Sequence, residues 1–505
     1  MLQTQQLWRN RPATTVALAI GALVLVRIAA LAASSLELGP DESQYWRWAQ
    51  QFDWGYYSKP PLIAWAIGLT TSIFGDSEWA VRLSAPIAHG FAGFALFALG
   101  RRMFNARCGA WAAAIYLLMP GVWLSSTLMS TDALLLPLWS LALYALWRMR
   151  ETPTVPFGLL AGAAIGLAML AKYAALYLIL GAGLAAVIDR DTRRALLSPA
   201  GLAAALAVLA VMSPNILWNA AHDFETVGHT SDNANWSHAS IQLGHLMKFV
   251  TDQMAVFGPV SLIAGAIGAI ATLTGRDEAN LSPRRWLLCF ILPPLAIIAV
   301  QAVVARAHAN WAATAYPAAA VLLGSFAAGI PWRRWIAGGL AFNVLLGATY
   351  LVMAVYPAAA DATGASNAFK RVRGWEAMAT ELSRIAQQHD ASALMFDERE
   401  PWHTSDFYGQ HIPLPPLRMW RSLDEPQNFA EETGVMAPGD DRAVLFASVV
   451  PQWREREAAD FASFEPIGSL DIPLGRKKVR HIDLYLARGY APLPRTGDYF
   501  ERYPR

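Results

Sequence analysis

Residues 39–61 read GPDESQYWRWAQQFDWGYYSKPP, and the rest of the chain is interpreted outward from them. This stretch follows the first long apolar segment, opens with the acidic pair Asp41 and Glu42, continues with a run of aromatics and ends with Lys59 before two prolines. Consecutive residues on a helix point about 100° apart, so the two carboxylates are predicted to have different roles, one a base and the other a structural partner. Such a polar stretch in an apolar chain indicates a functional loop.

The composition is that of a membrane protein. Of the 505 residues, 55% are hydrophobic and 15% are charged, whereas soluble domains carry about 25% charged residues. The net charge of +2 gives no indication of nucleic acid binding. Cys108 and Cys289 lie beside or inside apolar segments and far apart in the chain, so they are predicted to be buried thiols without a disulfide framework.

Eleven apolar segments are long enough, or nearly long enough, to cross a bilayer as helices. They are 14–33, 82–101, 108–124, 133–149, 157–172, 174–188, 201–217, 254–274, 286–304, 311–330 and 335–356. The apolar run 61–74 is too short to span, so it and residues 42–52 are predicted to be helices along the outer face. The aromatics of 42–57 have two interpretations: anchoring at the membrane interface, which is favoured, and stacking against a sugar.

Arginines and lysines in short loops are retained on the cytoplasmic side of a membrane. Here they fall at alternate span boundaries: Arg9, Arg11, Arg101, Arg102, Arg107, Arg148, Arg150, Arg190, Arg193, Arg194, Arg276, Arg284, Arg285, Arg333 and Arg334. The N-terminus is therefore predicted to be cytoplasmic. The loops that hold Asp41 to Lys59, Asp132, Lys172, residues 218–248 and residues 306–311 are then extracytoplasmic, and the odd span count places the C-terminus outside as well.

The chain changes character at Pro357, where charges and prolines become frequent. Helical spacing over 376–388 is followed by short apolar strands over 393–396, 443–450 and 481–487. The fold prediction is an α-helical polytopic membrane domain, 1–356, with a functional outer loop over 34–81, and an extracytoplasmic α/β domain over 357–505.

Several polar side chains of the predicted outer loops suit a substrate carried on a lipid phosphate. Lys59 is a compact cation for a phosphate oxygen or a snorkelling interfacial lysine. Arg306 offers a guanidinium fork that matches phosphate, or an interfacial anchor, and His308 returns a second polar group to the same face. Asp132 is either the N-cap of its helix or a contact to a substrate hydroxyl or to Lys59. The pair Lys172 and Tyr173 carries the same ambiguity.

The loop 218–248 is rich in groups that could bind a metal ion, namely His222, Asp223, Glu225, His229, Asp232, His238 and His245. Their spacings match no tight ligand signature, so a solvated polar loop is favoured and no metal ligands are assigned. Whether a divalent ion assists the reaction stays open at this point.

The order of a first span, an Asp–Glu pair, an aromatic helix and KPPLIAW at 59–65 resembles the polyprenyl-phosphate-sugar-dependent glycosyltransferases of the GT-C fold. The specific group contains the bacterial lipid A aminoarabinose transferases and is related to the protein O-mannosyltransferases. The stretch STDALLLPLW at 130–139 strengthens this resemblance, which covers about residues 10–350 and is weak in the C-terminal domain.

The resemblance implies an enzyme of the bacterial inner membrane that moves a sugar from undecaprenyl phosphate to lipid A, lipopolysaccharide or another envelope acceptor at the periplasmic face. It maps the acceptor-activating base of an inverting transfer onto Asp41, the contact to the lipid phosphate onto Lys59, and the second acidic loop residue onto Asp132. Many relatives have Glu before this lysine, whereas Ser58 stands here, which puts a metal contact by that Glu in doubt.

A lipid-linked sugar transporter or flippase is the first alternative function, because many spans with a few polar residues also describe carriers. A lipid-binding scaffold without catalysis is a second alternative, which the sequence leaves open. Transport sites place charges near the middle of the membrane, in broken helices and repeated halves. The spans predicted here carry almost no ionisable residues deep inside, so the transferase is favoured.

Overall fold

The structure, a computed structural model, describes residues 12–226, 228, 241–275, 280–327, 329–439, 441–476 and 478–503. It divides into two units. The helical unit comprises the chain up to Ala33 together with Asp53–Leu351, and the sheet unit comprises Ser34–Phe52 together with Val352–Arg505. The predicted domain boundary at 356/357 lies close to the second division, whereas the segment Ser34–Phe52, assigned from sequence to the membrane domain, belongs to the sheet unit.

Helices form wherever the sequence has long apolar runs, and the first part of the chain is described as a series of them. In order they are α1 Pro12–Ala33, α2 Pro40–Ala49, α3 Leu62–Phe74, α4 Glu78–Arg82, α5 Ser84–Met103, α6 Ala106–Leu117, α7 Pro120–Ser125, α8 Thr131–Glu151, α9 Val155–Ala171, α10 Leu176–Ile188, α11 Arg190–Leu196, α12 Pro199–Ala221, α13 Leu243–Phe257, α14 Pro259–Leu273, α15 Leu281–Val304, α16 Tyr316–Phe326 and α17 Ile330–Val355. Short 3₁₀ helices cover Tyr173–Ala175 and Ala309–Ala315.

Within the described ranges, five helices are long and apolar enough to cross a membrane, and a strongly bent pair brings the number to six. The five are Pro12–Ala33, Glu78–Met103, Pro199–Ala221, Leu281–Val304 and Trp332–Val355. Three shorter apolar helices, Leu62–Phe74, Val155–Ala171 and Tyr173–Ile188, add to the apolar part of the helical unit. The chain is therefore a multi-pass membrane protein.

The bent pair replaces the single span predicted over 254–274. Helices α13 and α14 meet at an angle of 108°, and Gly258 between them has a φ of 93°, a left-handed value that favours glycine. Pro259 begins the second helix and has no N–H with which to continue the first. A Cβ on Gly258 would come within 2.7 Å of the Asn343 amide, so close packing also requires glycine here.

Arg27 and His89 are ionisable side chains buried inside predicted spans, which corrects the expectation that these carry almost none. Arg27 of α1 donates from Nη2 to the Leu117 carbonyl at 2.5 Å and lies over the Trp123 ring. His89 of α5 hydrogen-bonds the Tyr116 hydroxyl through Nδ1 at 2.7 Å. Each side chain has a hydrogen-bond partner in the protein, as buried polar groups usually do, but Nε and Nη1 of Arg27 have none in the described part of the chain. Cys108 and Cys289 are buried and free, as predicted.

The sheet unit contains a five-stranded mixed sheet. Its helices are α18 Pro357–Thr363, α19 Trp375–Gln388, α20 Arg399–Tyr408, α21 Phe429–Thr433, α22 Arg454–Ala459 and α23 Gly497–Arg502, with 3₁₀ helices over Ala365–Val372 and Pro451–Trp453. Its strands are β1 Ala393–Phe396, β2 Leu417–Met419, β3 Val444–Ser448, β4 Phe461–Gly475 and β5 Lys478–Tyr490. The order is β2-β1-β3-β5-β4, in which β1 pairs parallel with β2 and β3, and β5 pairs antiparallel with β3 and β4.

The helix over 376–388 and the strands β1, β3 and β5 were predicted from sequence and are confirmed. Strand β2 was missed because it has three residues. Strand β4 was missed because Pro466 and Gly468 interrupt its pattern, at the point where its pairing register shifts.

The aromatics of α2 form part of the core of the sheet unit. Tyr45, Trp46 and Trp48 are buried, and the Trp46 ring lies 5.1 Å, edge to face, from that of Phe407 on α20. Trp48 meets Phe429 in the same way at 5.8 Å. For these three residues both sequence interpretations, interfacial anchoring and sugar stacking, are therefore wrong.

Candidate active site

Asp132 lies in the first turn of α8 and is held by two side chains of the helical unit. Its Oδ1 accepts a hydrogen bond from Lys172 Nζ at 2.9 Å, and its Oδ2 accepts one from Asn310 Nδ2 at 2.5 Å. The N-cap position belongs to Ser130, so the predicted N-cap role of Asp132 is wrong. Only 9% of its side chain is exposed. Asn310 was not singled out from sequence, although it stands two residues after His308.

Lys172 and Tyr173 connect this aspartate to the loop that carries Lys59. While Lys172 binds Asp132, the Tyr173 hydroxyl donates to Asn215 Oδ1 at 2.9 Å. Asn215, which is buried on α12, donates in turn from Nδ2 to the Trp54 carbonyl at 2.7 Å. The ambiguous pair from the sequence therefore joins two outer loops that are distant in the chain.

Lys59 closes a tight turn before α3. The Tyr56 N–H donates to the Lys59 carbonyl at 3.2 Å, and the Thr226 hydroxyl donates to the Tyr56 carbonyl at 2.7 Å. Two prolines follow, with Pro61 at the N-cap of α3. The turn thus fixes the backbone of a half-buried lysine.

Arg306 and His308 lie in the exposed segment between α15 and the 3₁₀ helix Ala309–Ala315. The pKa of His308 is lowered, first by partial burial and then by the positive charges of Arg306 and Lys172. The His308 ring lies 5.3 Å from that of Trp311. The structure therefore brings Arg306, His308 and Lys172 together next to Asp132, and this cluster suits an anionic group.

Asp41 and Glu42 lie in the first turn of α2, in the sheet unit. Glu42 is buried and accepts the Gly39 N–H at 3.0 Å through Oε2, as the acidic residue of a helix cap. Asp41 is 48% exposed, and its Oδ1 accepts from Arg399 Nη2 at 3.2 Å. The same guanidinium donates from Nη1 to Gln44 Oε1 at 3.0 Å. The two carboxylates thus have different surroundings, since Glu42 is buried in a helix cap and Asp41 is about half exposed. Arg399 was not singled out from the sequence.

No three His, Cys, Asp or Glu side chains among the described residues are grouped so that they could hold a metal ion. In the loop 218–248, the His222 ring stacks on Trp218 at 4.0 Å and donates from Nδ1 to the Trp218 carbonyl at 2.8 Å. His229, Asp232 and His238 lie outside the described residues.

Comparison with known proteins identifies relatives over most of the chain. Residues 58–218 match the family described as dolichyl-phosphate-mannose-protein mannosyltransferase. The lipid A galacturonosyltransferase RgtD of Rhizobium johnstonii is 32% identical over 377 residues, which are 74% of this chain and 78% of that protein. An undecaprenyl phosphate-alpha-4-amino-4-deoxy-L-arabinose arabinosyl transferase of Pseudomonas fluorescens is 28% identical over 142 residues, 26% of this chain and 24% of that one.

The fold is shared with a solved structure. ArnT from Cupriavidus metallidurans, in the apo state, superposes with a TM-score of 0.65 over 94% of this chain and 98% of that one, at 16% sequence identity. The fold is therefore of the GT-C type with a small C-terminal sheet domain. The extent of the likeness to RgtD favours a transferase over a transporter or flippase. The chain belongs to the family of polyprenyl-phosphate-sugar-dependent membrane glycosyltransferases that includes RgtD.

Proposed function

We propose that this glycosyltransferase moves a sugar from undecaprenyl phosphate to lipid A at the periplasmic face of a bacterial inner membrane. The observation that carries the proposal is the 32% identity with a lipid A galacturonosyltransferase over 78% of that protein. The cluster of Lys172, Arg306 and His308 supports an anionic substrate. Because the more extensive similarity is to a galacturonosyltransferase, galacturonic acid is the first sugar to test, ahead of the 4-amino-4-deoxyarabinose of the second relative.

In the proposed reaction the free oxygen of Asp41 accepts the proton of an acceptor hydroxyl. The hydroxyl oxygen forms a bond to the anomeric carbon, and the bond from that carbon to the lipid phosphate oxygen breaks. The phosphate leaves with the electron pair, and the single displacement inverts the anomeric centre. Lys59, Arg306 and His308 stabilise the charge that develops on the departing phosphate.

The other two acidic residues have supporting roles in this proposal. Asp132 accepts hydrogen bonds from Lys172 and Asn310, and in this proposal it orients these two donors. Glu42 caps the helix that presents Asp41. A divalent ion is not assigned to any of these residues.

We also propose the topology predicted from sequence: eleven spans, with the bent pair α13 and α14 counted as one of them, a cytoplasmic N-terminus and a periplasmic C-terminal domain over 357–505. Support comes from α8, which carries Asp132 near its start and Arg150 near its end, about 27 Å apart along the helix, close to the thickness of a bilayer core. At the far end Arg150 pairs with Asp189 at 2.8 Å, and Arg102 pairs with Glu151 at 2.7 Å. Arginines and site residues thus lie at opposite ends of one helix.

Cysteine labelling tests this topology with little background, because both native cysteines are buried. Glu465→Cys on β4 and Arg193→Cys on α11 both place the new thiol at an exposed position. A membrane-impermeant maleimide should label the first in intact spheroplasts and the second only after lysis. The reverse pattern contradicts the topology.

The function is tested with the purified full-length protein, lipid A and either undecaprenyl-phosphate galacturonic acid or the aminoarabinose donor. Wild type should release undecaprenyl phosphate and yield lipid A heavier by one sugar, and Asp41→Asn should do both about 100-fold more slowly or worse. Asp498→Asn, an exposed aspartate of the same unit, is the matched control and should keep full activity. If a folded wild-type protein releases undecaprenyl phosphate from neither donor, the proposal is wrong.

A further inference from the structure

The guanidinium of Arg399 joins two side chains on one face of α2, although it comes from a distant part of the chain. Its Nη2 donates to Asp41 Oδ1 at 3.2 Å and its Nη1 donates to Gln44 Oε1 at 3.0 Å. Asp41 and Gln44 are three residues apart on a helix and therefore neighbours on its surface. Arg399 and Asp41 are 358 residues apart in sequence, and both belong to the sheet unit.

The position of Arg399 is fixed by the packing of its whole helix against the segment that carries Asp41. Along α20, Asp406 pairs with Arg47 at 3.5 Å, and the Phe407 ring meets Trp46 edge to face at 5.1 Å. One residue further, the Tyr408 hydroxyl accepts the Leu38 N–H at 3.0 Å. These contacts hold the end of α20 against α2 and against Leu38, which precedes α2 in the chain. A rigid helix therefore presents the guanidinium at the start of α20 to Asp41.

The contact itself contributes little to stability. The Arg399 side chain is 34% exposed and the Asp41 side chain is 48% exposed, and ion pairs of such exposure typically stabilise a protein by about 0–1 kcal/mol. A neighbouring pair of the same kind exists, because Glu400 binds Arg371 Nη2 through Oε1 at 2.7 Å. The expected contribution to stability is therefore the same for Arg399 and Arg371. The two arginines differ in their partners, which are Asp41 and Glu400.

We propose that Arg399 is a positioning residue for the sugar transfer, which acts through its contact with Asp41. Arg399 binds Oδ1 of Asp41 and so fixes the rotation of the carboxylate. The other oxygen, Oδ2, has no side-chain partner among the described residues, and the bond to Oδ1 sets the direction in which it points. Gln44 occupies the second arm of the fork and prevents the guanidinium from turning away. This inference rests on the proposed role of Asp41 as the base.

The test measures kcat and KM of full-length protein in membranes for Arg399→Ala, Arg399→Lys and the control Arg371→Ala. Arg399→Ala should lower kcat by about 10- to 100-fold with the donor and acceptor KM nearly unchanged, because a misplaced base loses near-attack geometry while substrate contacts persist. Added guanidinium ion should restore part of that loss. Arg399→Lys should fall between wild type and Ala, and Arg371→Ala should match wild type in kcat and in melting temperature.

Combination with Asp41→Asn separates this inference from the proposed function. If Asp41 is the base and Arg399 acts through it, Arg399→Ala lowers activity no further in the Asp41→Asn background. Full activity of Arg399→Ala beside an inactive Asp41→Asn overturns the positioning role and leaves the base in place. A rise in acceptor KM with kcat unchanged also overturns it, because Arg399 would then bind substrate. An active Asp41→Asn instead overturns the proposed base.

Discussion

Asp41 and Asp132 occupy the same local position in two regions of the molecule, yet their surroundings differ. Each is the second residue of its helix, α2 in the sheet unit and α8 in the helical unit. Asp41 is about half exposed, and its Oδ1 lies 3.2 Å from Nη2 of Arg399. Asp132 is nearly buried and accepts from Lys172 at 2.9 Å and Asn310 at 2.5 Å. The difference teaches that tertiary partners, not helix position, decide which aspartate keeps an oxygen for a reactant.

The largest effect should follow from Asp41→Asn, which keeps the shape and an acceptor for Arg399 but removes the base. We expect kcat to fall by about 10²–10⁴-fold, the usual contribution of general base catalysis. The melting temperature should stay within error of wild type, since an exposed ion pair contributes little. Product mass and thermal unfolding of the same preparation check both parts, and activity within tenfold of wild type would break the comparison.

A third carboxylate, Glu457 on α22, is completely buried and can be compared with the half-exposed Asp41 and the nearly buried Asp132. Burial first, and the negative charge of Asp397 second, raise its pKa from 4.5 to about 10. Because the folded state holds the proton, its contribution to stability is complete below about pH 4.5 and is lost as pH rises toward 10, by at most about 1.4 kcal/mol per pH unit.

Glu457→Gln should therefore flatten the fall of the melting temperature between pH 6 and 9, since glutamine is neutral throughout. The measurement is the melting temperature of both proteins at several pH values. Asp397 also has a raised pKa, so part of the pH dependence should remain. Parallel curves for the two proteins would contradict protonation of Glu457 in the folded state.

Asp132→Ala should destabilise the helical unit by about 1–3 kcal/mol, because it leaves the Lys172 ammonium and the Asn310 amide without their acceptor. Melting of the detergent-purified protein measures the loss. The double variant with Lys172→Met should recover part of it, because the unpaired charge is then absent. If the stability losses of the two single variants add in the double variant, Asp132 does not stabilise the protein by pairing with Lys172.

The smallest expected effect is the loss of one exposed ion pair in the sheet unit, and it serves as the reference for the other changes in stability. Arg384 and Glu381 form an exposed pair at 2.9 Å on α19, one turn apart. Arg384→Ala should change the unfolding free energy by less than about 0.5 kcal/mol and leave kcat unchanged. A larger change would mean that exposed pairs in the sheet unit are stronger than assumed, and the expectation for Asp41→Asn stability would need revision.

Local pattern was sufficient for much of the fold. Apolar runs located most of the membrane helices, and alternation located β1, β3 and β5. The break at Gly258 had a signal, because a Gly-Pro pair within an apolar run marks a turn, but the run was taken as one span. The burial of Trp46 and Trp48 had no signal in the sequence, because an aromatic helix suits a membrane interface and a protein core equally well.

For the site, the sequence identified the residues with distinctive local chemistry. Asp41, Lys59, Asp132, Arg306 and His308 all stand out as polar groups in an apolar chain, and the structure groups three of them in the helical unit. Arg399 and Asn310 could not be found in this way. Each is an ordinary polar residue in a polar segment, and its importance comes from a partner 358 or 178 residues away.

The discontinuity of the sheet unit has a consequence for biosynthesis. Gln44 leaves the ribosome 355 residues ahead of Arg399, which at about 5–20 residues per second is a wait of about 20–70 s. During that interval Trp46 and Trp48 have no Phe407 or Phe429 to cover them. The nascent chain must therefore carry an exposed aromatic helix through the insertion of every later span, and slow translation or a delayed C-terminus should make it a target for chaperones and proteases.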